Sequence, residues 1–145
     1  MTAIPRPTVP VTDHAELTGR WLGLLGSAGP APTRTLHLSW LLPDGTSAPL
    51  LVPIDGVPTE PDRVLLENVV GFHTAVAEAE HVAPDELHLA LYLERPGPIG
   101  PDDDAWAAAV EAVLRGRHGV DCSLHAGDGR SATSLLPRTS WPHHP

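Results

Sequence analysis

One histidine lies in each of three segments whose apolar residues repeat with a period of two, the pattern of β-strands. His37, His88 and His125 lie on the side of their segments opposite the leucines, and Asp121 shares that side with His125. Imidazole and carboxylate groups are ligands that zinc uses. Neighbouring strands lie about 4.8 Å apart, so these side chains would converge if their strands were adjacent. The pattern therefore predicts a candidate zinc site, with a metal-dependent hydrolase as one form of it.

The same polar face has a second interpretation, as a surface that binds a partner. The histidines lack the fixed spacing of known metal motifs, and a shift of one residue in strand register would separate them. A sheet face that is exposed to solvent or covered by a partner does not depend on one particular strand register. The residues that we assign to this interaction surface are Ser39, Tyr92, Glu94, Arg95 and Trp141.

Nucleophilic catalysis finds little support in the chain, which has no Gly-x-Ser-x-Gly elbow. Cys122 lies on the leucine side of its segment, which predicts a buried apolar role. We therefore assign no catalytic residue and expect no cofactor, with zinc as the alternative. The preferred function is a non-catalytic interaction or regulatory module that pairs with itself or with another protein. The alternatives are a metal-binding protein or metal-dependent hydrolase, and a small-ligand binder.

Composition excludes several other classes of function. The 145 residues predict a single domain. The nine basic residues are all arginines, scattered singly, against 18 acidic residues, for a net charge of −9. This balance argues against binding to nucleic-acid phosphates and to anionic lipids. A single cysteine excludes an intramolecular disulfide. Without an apolar run at the amino terminus or elsewhere, we expect a cytoplasmic protein.

Proline, glycine and capping residues divide the chain into helices and strands. Asp13 and Asp62 are predicted helix caps, and Asp102–Asp104 place negative charge at the start of a third helix. We predict helices over about 13–25, 62–80 and 102–115, and strands over about 36–42, 48–54, 87–94, 120–125 and 131–136. These limits divide the chain into a flexible arm (1–11), a domain (12–136) and a tail (137–145).

The order of elements predicts an α/β (α+β) fold, a two-layer sandwich. Its mixed sheet has four to five strands, a β-hairpin followed by α-β-α-β, and its helices lie mainly on one face. Alternating strands are typical of a sheet with one uncovered face, so we expect the histidine-bearing face to be open. Trp40, Phe72, Leu89 and Leu91 are predicted to share the core, and Pro49 and Pro53 place the second strand at an edge.

One stretch resembles a known group of proteins. Leu91-Tyr92-Leu93-Glu94-Arg95-Pro96-Gly97-Pro98 is followed by Asp104-Ala105-Trp106. A strand that ends in Arg-Pro-Gly-Pro before an Asp/Trp helix start resembles small uncharacterised α/β proteins of actinobacteria. The resemblance covers about residues 35–136 and implies the domain limits and a cytoplasmic setting, but no activity. Within the loop, we expect Arg95 to pair with one of the three aspartates of Asp102–Asp104, or with an acidic group of a partner.

Overall fold

The computed structural model describes residues 2–3, 10–25, 34–139 and 141. Its strands are β1 (Thr2–Ala3), β2 (Thr35–Leu41), β3 (Leu50–Asp55), β4 (His88–Glu94), β5 (Cys122–Gly127) and β6 (Thr133–Leu136). They form one mixed sheet in the order β1-β3-β2-β4-β5-β6. β4 and β5 run parallel, and the other neighbouring pairs are antiparallel. The predicted α/β class and mixed sheet are confirmed.

Three helices connect or precede the strands of the described chain: α1 (His14–Leu25), α2 (Arg63–Ala79) and α3 (Pro101–Val110). α3 continues as a π-helical segment over Glu111–Arg117. The predicted caps are present, because the backbone N–H groups of Glu16 and Leu65 donate to the side chains of Asp13 and Asp62 at 2.8 and 3.1 Å. These bonds satisfy donors that the first turn of a helix leaves free.

The main core lies between the leucine-bearing sheet face and the pair of helices α2 and α3. Period-two alternation places Leu38, Trp40, Leu89 and Leu91 on this face, and all four are fully buried. The predicted strand faces are therefore correct. Phe72 is the exception among the predicted core residues, because 41% of it is exposed. It lies at the margin of the buried stripe of α2, on the side turned to solvent.

The opposite sheet face is covered as well, so the expectation of an open polar face is wrong. Leu17, Trp21 and Leu25 of α1 are buried in a second apolar cluster with Leu41 and Tyr92 of the sheet. α1 precedes the β2–β3 hairpin and is not a crossover between parallel strands. The handedness that places α3 on the leucine face therefore does not apply to it. Its own apolar stripe needs cover, and the second face supplies it.

The amino-terminal segment takes part in the fold. Thr2 and Ala3 pair with Leu51 and Leu50 of β3, so the strand expected at an edge has a short neighbour. Val11 is buried, and its N–H donates to the Gly45 carbonyl at 2.8 Å. The predicted flexible arm therefore contributes to the sheet and the second cluster, while residues 1 and 4–9 of it lie outside the described residues.

Candidate functional site

The four predicted zinc ligands lie at separate places along the second face of the sheet. The order β2-β4-β5 places Tyr92 between His37 and His125, because in register Tyr92 pairs with both of them. His37 contacts Glu94, with 2.8 Å between Nε2 and Oε1. At the other end of β4, His88 Nδ1 lies 3.1 Å from Asp121 Oδ2. Among the described residues, no group of three histidine, cysteine or acidic side chains could hold a metal ion. The predicted zinc cluster is therefore not formed.

His88 joins Ser123 and Asp121 into a buried polar chain. Its Nε2 lies 2.8 Å from Ser123 Oγ, and the Nε of Arg138 donates to Asp121 Oδ2 at 3.0 Å. Burial lowers the pKa of His88, although the hydrogen bond and charge of Asp121 act in the opposite direction. The imidazole is therefore neutral at pH 7, and it hydrogen-bonds with one nitrogen to the serine hydroxyl.

Serine, histidine and aspartate in this order form the chain used by serine hydrolases. Ser123, however, is fully buried in the middle of β5, on the face that α1 covers. A nucleophile must meet the carbonyl carbon of its substrate, and this hydroxyl has no solvent-accessible surface. The geometry supports a structural role, in which the Ser123 hydroxyl and the Nε2 of His88 pair with each other within the interior.

His125 ties α1 to the sheet. Its Nε2 lies 2.9 Å from the Thr18 hydroxyl, and its ring is fully buried. Burial lowers the pKa of His125 to about 4, with further lowering from the neighbouring His14 and His88. The imidazole of His125 is therefore neutral at pH 7.

The predicted interaction surface is interior. Ser39, Tyr92, Glu94 and Arg95 are all buried in the described chain, so their assignment to an exposed surface is wrong. Trp141 is partly buried and packs within the chain, where the Arg138 guanidinium lies 4.9 Å from its ring centre. The residues of the sheet are buried because α1 and the loops at the ends of β4 and β5 cover the face that we expected to be open.

Arg95 organises the loop that leads into α3. Its Nε donates to Asp103 Oδ1 at 2.8 Å, and its Nη2 contacts the second carboxylate oxygen. The same guanidinium donates to the carbonyls of Pro96, Gly97 and Pro98. The hydrogen bond from Arg95 is the largest cause of the lowered pKa of Asp103. The predicted pairing with the Asp102–Asp104 run is confirmed, and Asp103 is the member used.

Tyr92 and Cys122 also have interior roles. The Tyr92 hydroxyl donates to the Ser131 carbonyl at 2.6 Å and accepts from the Gly129 N–H at 3.0 Å, which holds the β5–β6 turn. Cys122 is buried, and burial raises the pKa of its thiol to about 12. It therefore stays protonated at pH 7, which fits the apolar role predicted for it.

The surface that sequence reasoning missed is the outer side of α2. Val64 is 70% exposed and Phe72 41% exposed, and both line a shallow hollow of about 390 Å³ beside Ile54 of β3. Single exposed apolar residues are common, but a continuous apolar patch marks a site of interaction. The helical spacing of Val64 and Phe72, eight residues apart, is the signal that could have identified it.

Comparisons with protein-family models, with curated proteins and with solved structures found no match to this chain. In the part of the chain that the structure describes, no helix is long and apolar enough to cross a membrane. The fold and the site together define a small α/β sandwich whose polar interior is covered by α1 and whose apolar outer surface lies along α2.

Proposed function

We propose that the protein is a non-catalytic interaction module that pairs with a second copy of itself through α2. The observation that carries this proposal is an uncharged stripe along the exposed side of the helix. The stripe consists of six exposed residues, each one, three or four positions after the one before it. They are Val64, Asn68, Gly71, Phe72, Ala75 and Ala79. At 1.5 Å per residue the stripe is about 22 Å long.

The order of side-chain sizes along the stripe fits an antiparallel partner. The larger residues Val64 and Asn68 lie in its amino-terminal half, and the small Ala75 and Ala79 lie in its carboxy-terminal half. A two-fold axis between residues 71 and 72 would place Val64 opposite the partner's Ala79 and Asn68 opposite the partner's Ala75. It would also place each Phe72 opposite the partner's Gly71. Every large side chain then meets a small one, as an isologous contact requires.

The charge of the protein bears on the same surface. Each copy carries a net charge of −9, which opposes self-association. The stripe itself lacks charged residues, whereas Glu67 and the exposed Glu78 flank it on one side. The repulsion between the two copies is screened by salt, because the Debye length falls from about 10 Å at 0.1 M to about 3 Å at 1 M. Added salt should therefore strengthen the dimer.

The mass of the particle in solution tests the proposal. Sedimentation velocity between about 5 and 200 µM should show the mass rise from 15.4 kDa towards twice that value, and further with added NaCl. Phe72→Glu should give a monomer at every concentration. Thr74→Glu is the matched control, because Thr74 is exposed on α2 but lies off the stripe. A monomeric wild type, or an equal effect of both variants, would refute self-pairing through α2.

Cross-linking tests the register. Chains carrying Asn68→Cys should form disulfides with chains carrying Ala75→Cys when the two are mixed, because the proposed axis places these positions opposite each other. Each variant alone places its cysteines on opposite halves of the dimer and should cross-link far more slowly. Cys122 is buried and does not compete. Equal cross-linking in the mixed and separate samples would show that this register is wrong.

A further inference from the structure

A hollow of about 500 Å³ lies at the end of the sheet where β4 and β5 begin. It is lined by the end of β2, the 3₁₀ turn before β4, the approach to β5 and the residues after β6. The volume is within the range of sites for small molecules. This hollow lies away from the exposed side of α2, so it takes no part in the proposed dimer. Its charged lining residues are Asp85, Glu86, Arg115, Asp121 and Arg138.

Two arginines with fixed positions form one side of this hollow. Arg115 Nη2 donates to the carbonyls of Cys122 and Pro137 at 2.7 and 2.8 Å, which joins the start of β5 to the end of β6. Arg138 is held by its bond to Asp121 and by its stacking on Trp141. Because these contacts already order both side chains, a ligand that binds them loses little additional side-chain entropy.

Both guanidinium groups keep donors that the described chain does not use. Arg138 has a side chain that is only 7% exposed, and its Nη1 has no hydrogen-bond partner. The Nε of Arg115 is buried and likewise without a partner. Both atoms have almost no accessible surface, so a ligand in the hollow reaches this side chiefly through the exposed part of Arg115, whose side chain is 23% exposed. A carboxylate accepts from guanidinium groups through two oxygens and fits this side of the hollow.

The opposite charge lies across the same hollow. Asp85 and Glu86 are exposed in the turn before β4, whereas Arg138 follows β6. Because β5 separates β4 from β6, the two sides are about two strand spacings, roughly 10 Å, apart along the sheet end. Allowing about 3 Å for a hydrogen bond at each end leaves about 4 Å between the two charges of a ligand. Asp121 lies between His88 and Arg138 and offsets the charge of Arg138, so this side recognises a carboxylate through guanidinium hydrogen bonds and not through excess positive charge.

We propose that this hollow binds a short zwitterion, of the size of an amino acid or a dipeptide. Its carboxylate would bind at Arg115 and Arg138, and its ammonium group at Asp85 and Glu86. Glu111 lies 3.7 Å from Arg115 and is mostly exposed, so the ligand carboxylate would compete with it for the Arg115 guanidinium.

Titration of the full chain with glycylglycine tests the proposal. We expect saturable changes in the backbone amide NMR signals of Gly119 and Thr139, which line the hollow. Amidation of the carboxylate or acetylation of the amine should each lower the affinity at least tenfold, since each removes one of the two charges. No saturable change up to about 20 mM, or equal binding of the blocked analogues, would overturn the proposal.

Separate variants test the arginine side and the acidic side of the site. Arg115→Gln should lower the affinity at least tenfold, and Arg117→Gln should leave it unchanged, because Arg117 is exposed and pairs with Glu67. The double variant Asp85→Asn/Glu86→Gln changes only exposed residues, so it should fold normally and lose affinity to the same degree. Unchanged binding in either pocket variant would refute the corresponding contact. The Phe72→Glu chain should bind as the wild type does, which separates this test from that of the dimer.

Discussion

Acidification is expected to destabilise the protein between pH 6.5 and about 4, chiefly because the fold holds His125 neutral beneath α1. The unfolded chain takes up this proton near pH 6.5, but the folded chain only near pH 4. Between these values the unfolded state binds more protons, so stability falls as the pH falls. The lowered pKa values of His73 and His88 act in the same direction.

The magnitude follows from the separation of the two pKa values. One pKa unit corresponds to about 1.4 kcal/mol. The difference between 6.5 and about 4 is therefore worth about 3 kcal/mol when the pH is well below 4. About 2 kcal/mol of this should be lost by pH 5. The lowered pKa of Asp103 also stabilises the fold, but this contribution is lost only when the pH falls below the ordinary carboxyl value of 3.8. The loss of stability between pH 6.5 and about 4 therefore reports on the histidines.

Urea unfolding followed by tryptophan fluorescence measures the effect at about pH 7 and pH 5. His125→Gln keeps a group that can hydrogen-bond to Thr18 but does not titrate. This variant should lose about 2 kcal/mol less than the wild type between the two pH values. His81→Asn is the control, because His81 is exposed and its φ of 58° is one that asparagine tolerates. If His125→Gln keeps the pH dependence of the wild type, the burial of His125 is not its cause.

Three further variants test the interior. Leu91→Ala should lower the free energy of unfolding by about 2–5 kcal/mol, because it opens a cavity in the main core; a loss below about 0.5 kcal/mol would mean that the strand faces are reversed. Arg95→Met should cost about 3–5 kcal/mol by leaving the buried Asp103 carboxylate without its cation, and urea unfolding again measures it. Ser123→Ala should cost about 1–3 kcal/mol, since His88 loses a hydrogen-bond partner. Mass spectrometry should find Ser123 unmodified after native protein is treated with a fluorophosphonate, whereas labelling would support a hydrolase.

The strands and their faces were predictable because they depend on local pattern. Alternation of leucines with polar residues is enough to assign Leu38 and Leu91 to one face and His37 to the other, whatever the order of the strands. Capping residues such as Asp62 likewise act within one turn of the helix that they begin. These features need only the residues next to one another in the chain.

The candidate site was not predictable by the same means, because it depends on distant parts of the chain. Whether His37 and His125 meet depends on which strand lies between them, and β4 places Tyr92 there. Whether the polar face is open depends on α1, which is joined to β2 by a connection with no preferred hand. Trp21 indicates that α1 needs cover, but no local pattern indicates which face of the sheet provides it.

The polar layer beneath α1 is better explained by the position of that helix than by stability. Thr18 bonds to His125, and the Arg20 guanidinium donates to Ser47 at 2.6 Å, so two hydrogen bonds fix α1 along and across the sheet. A wholly apolar interface would bind α1 at least as strongly, because burying polar groups has a desolvation cost. It would, however, allow the helix to slide, since apolar contacts have little directionality. The bonds from Thr18 to His125 and from Arg20 to Ser47 therefore make one arrangement of α1 preferable to its neighbours.

The outer side of α2 lacks such an explanation within the fold. Its inner residues, such as Leu66 and Val69, already satisfy the core, and solvent imposes no need for Val64 or Phe72 on the other side. The exposed charged residues of α2, Arg63 and Glu78, lie off the stripe, whose six exposed members are uncharged. Exposed apolar surface favours aggregation unless something covers it. In the proposed dimer, a second copy of α2 would cover it, with the small residues of one copy opposite the large residues of the other.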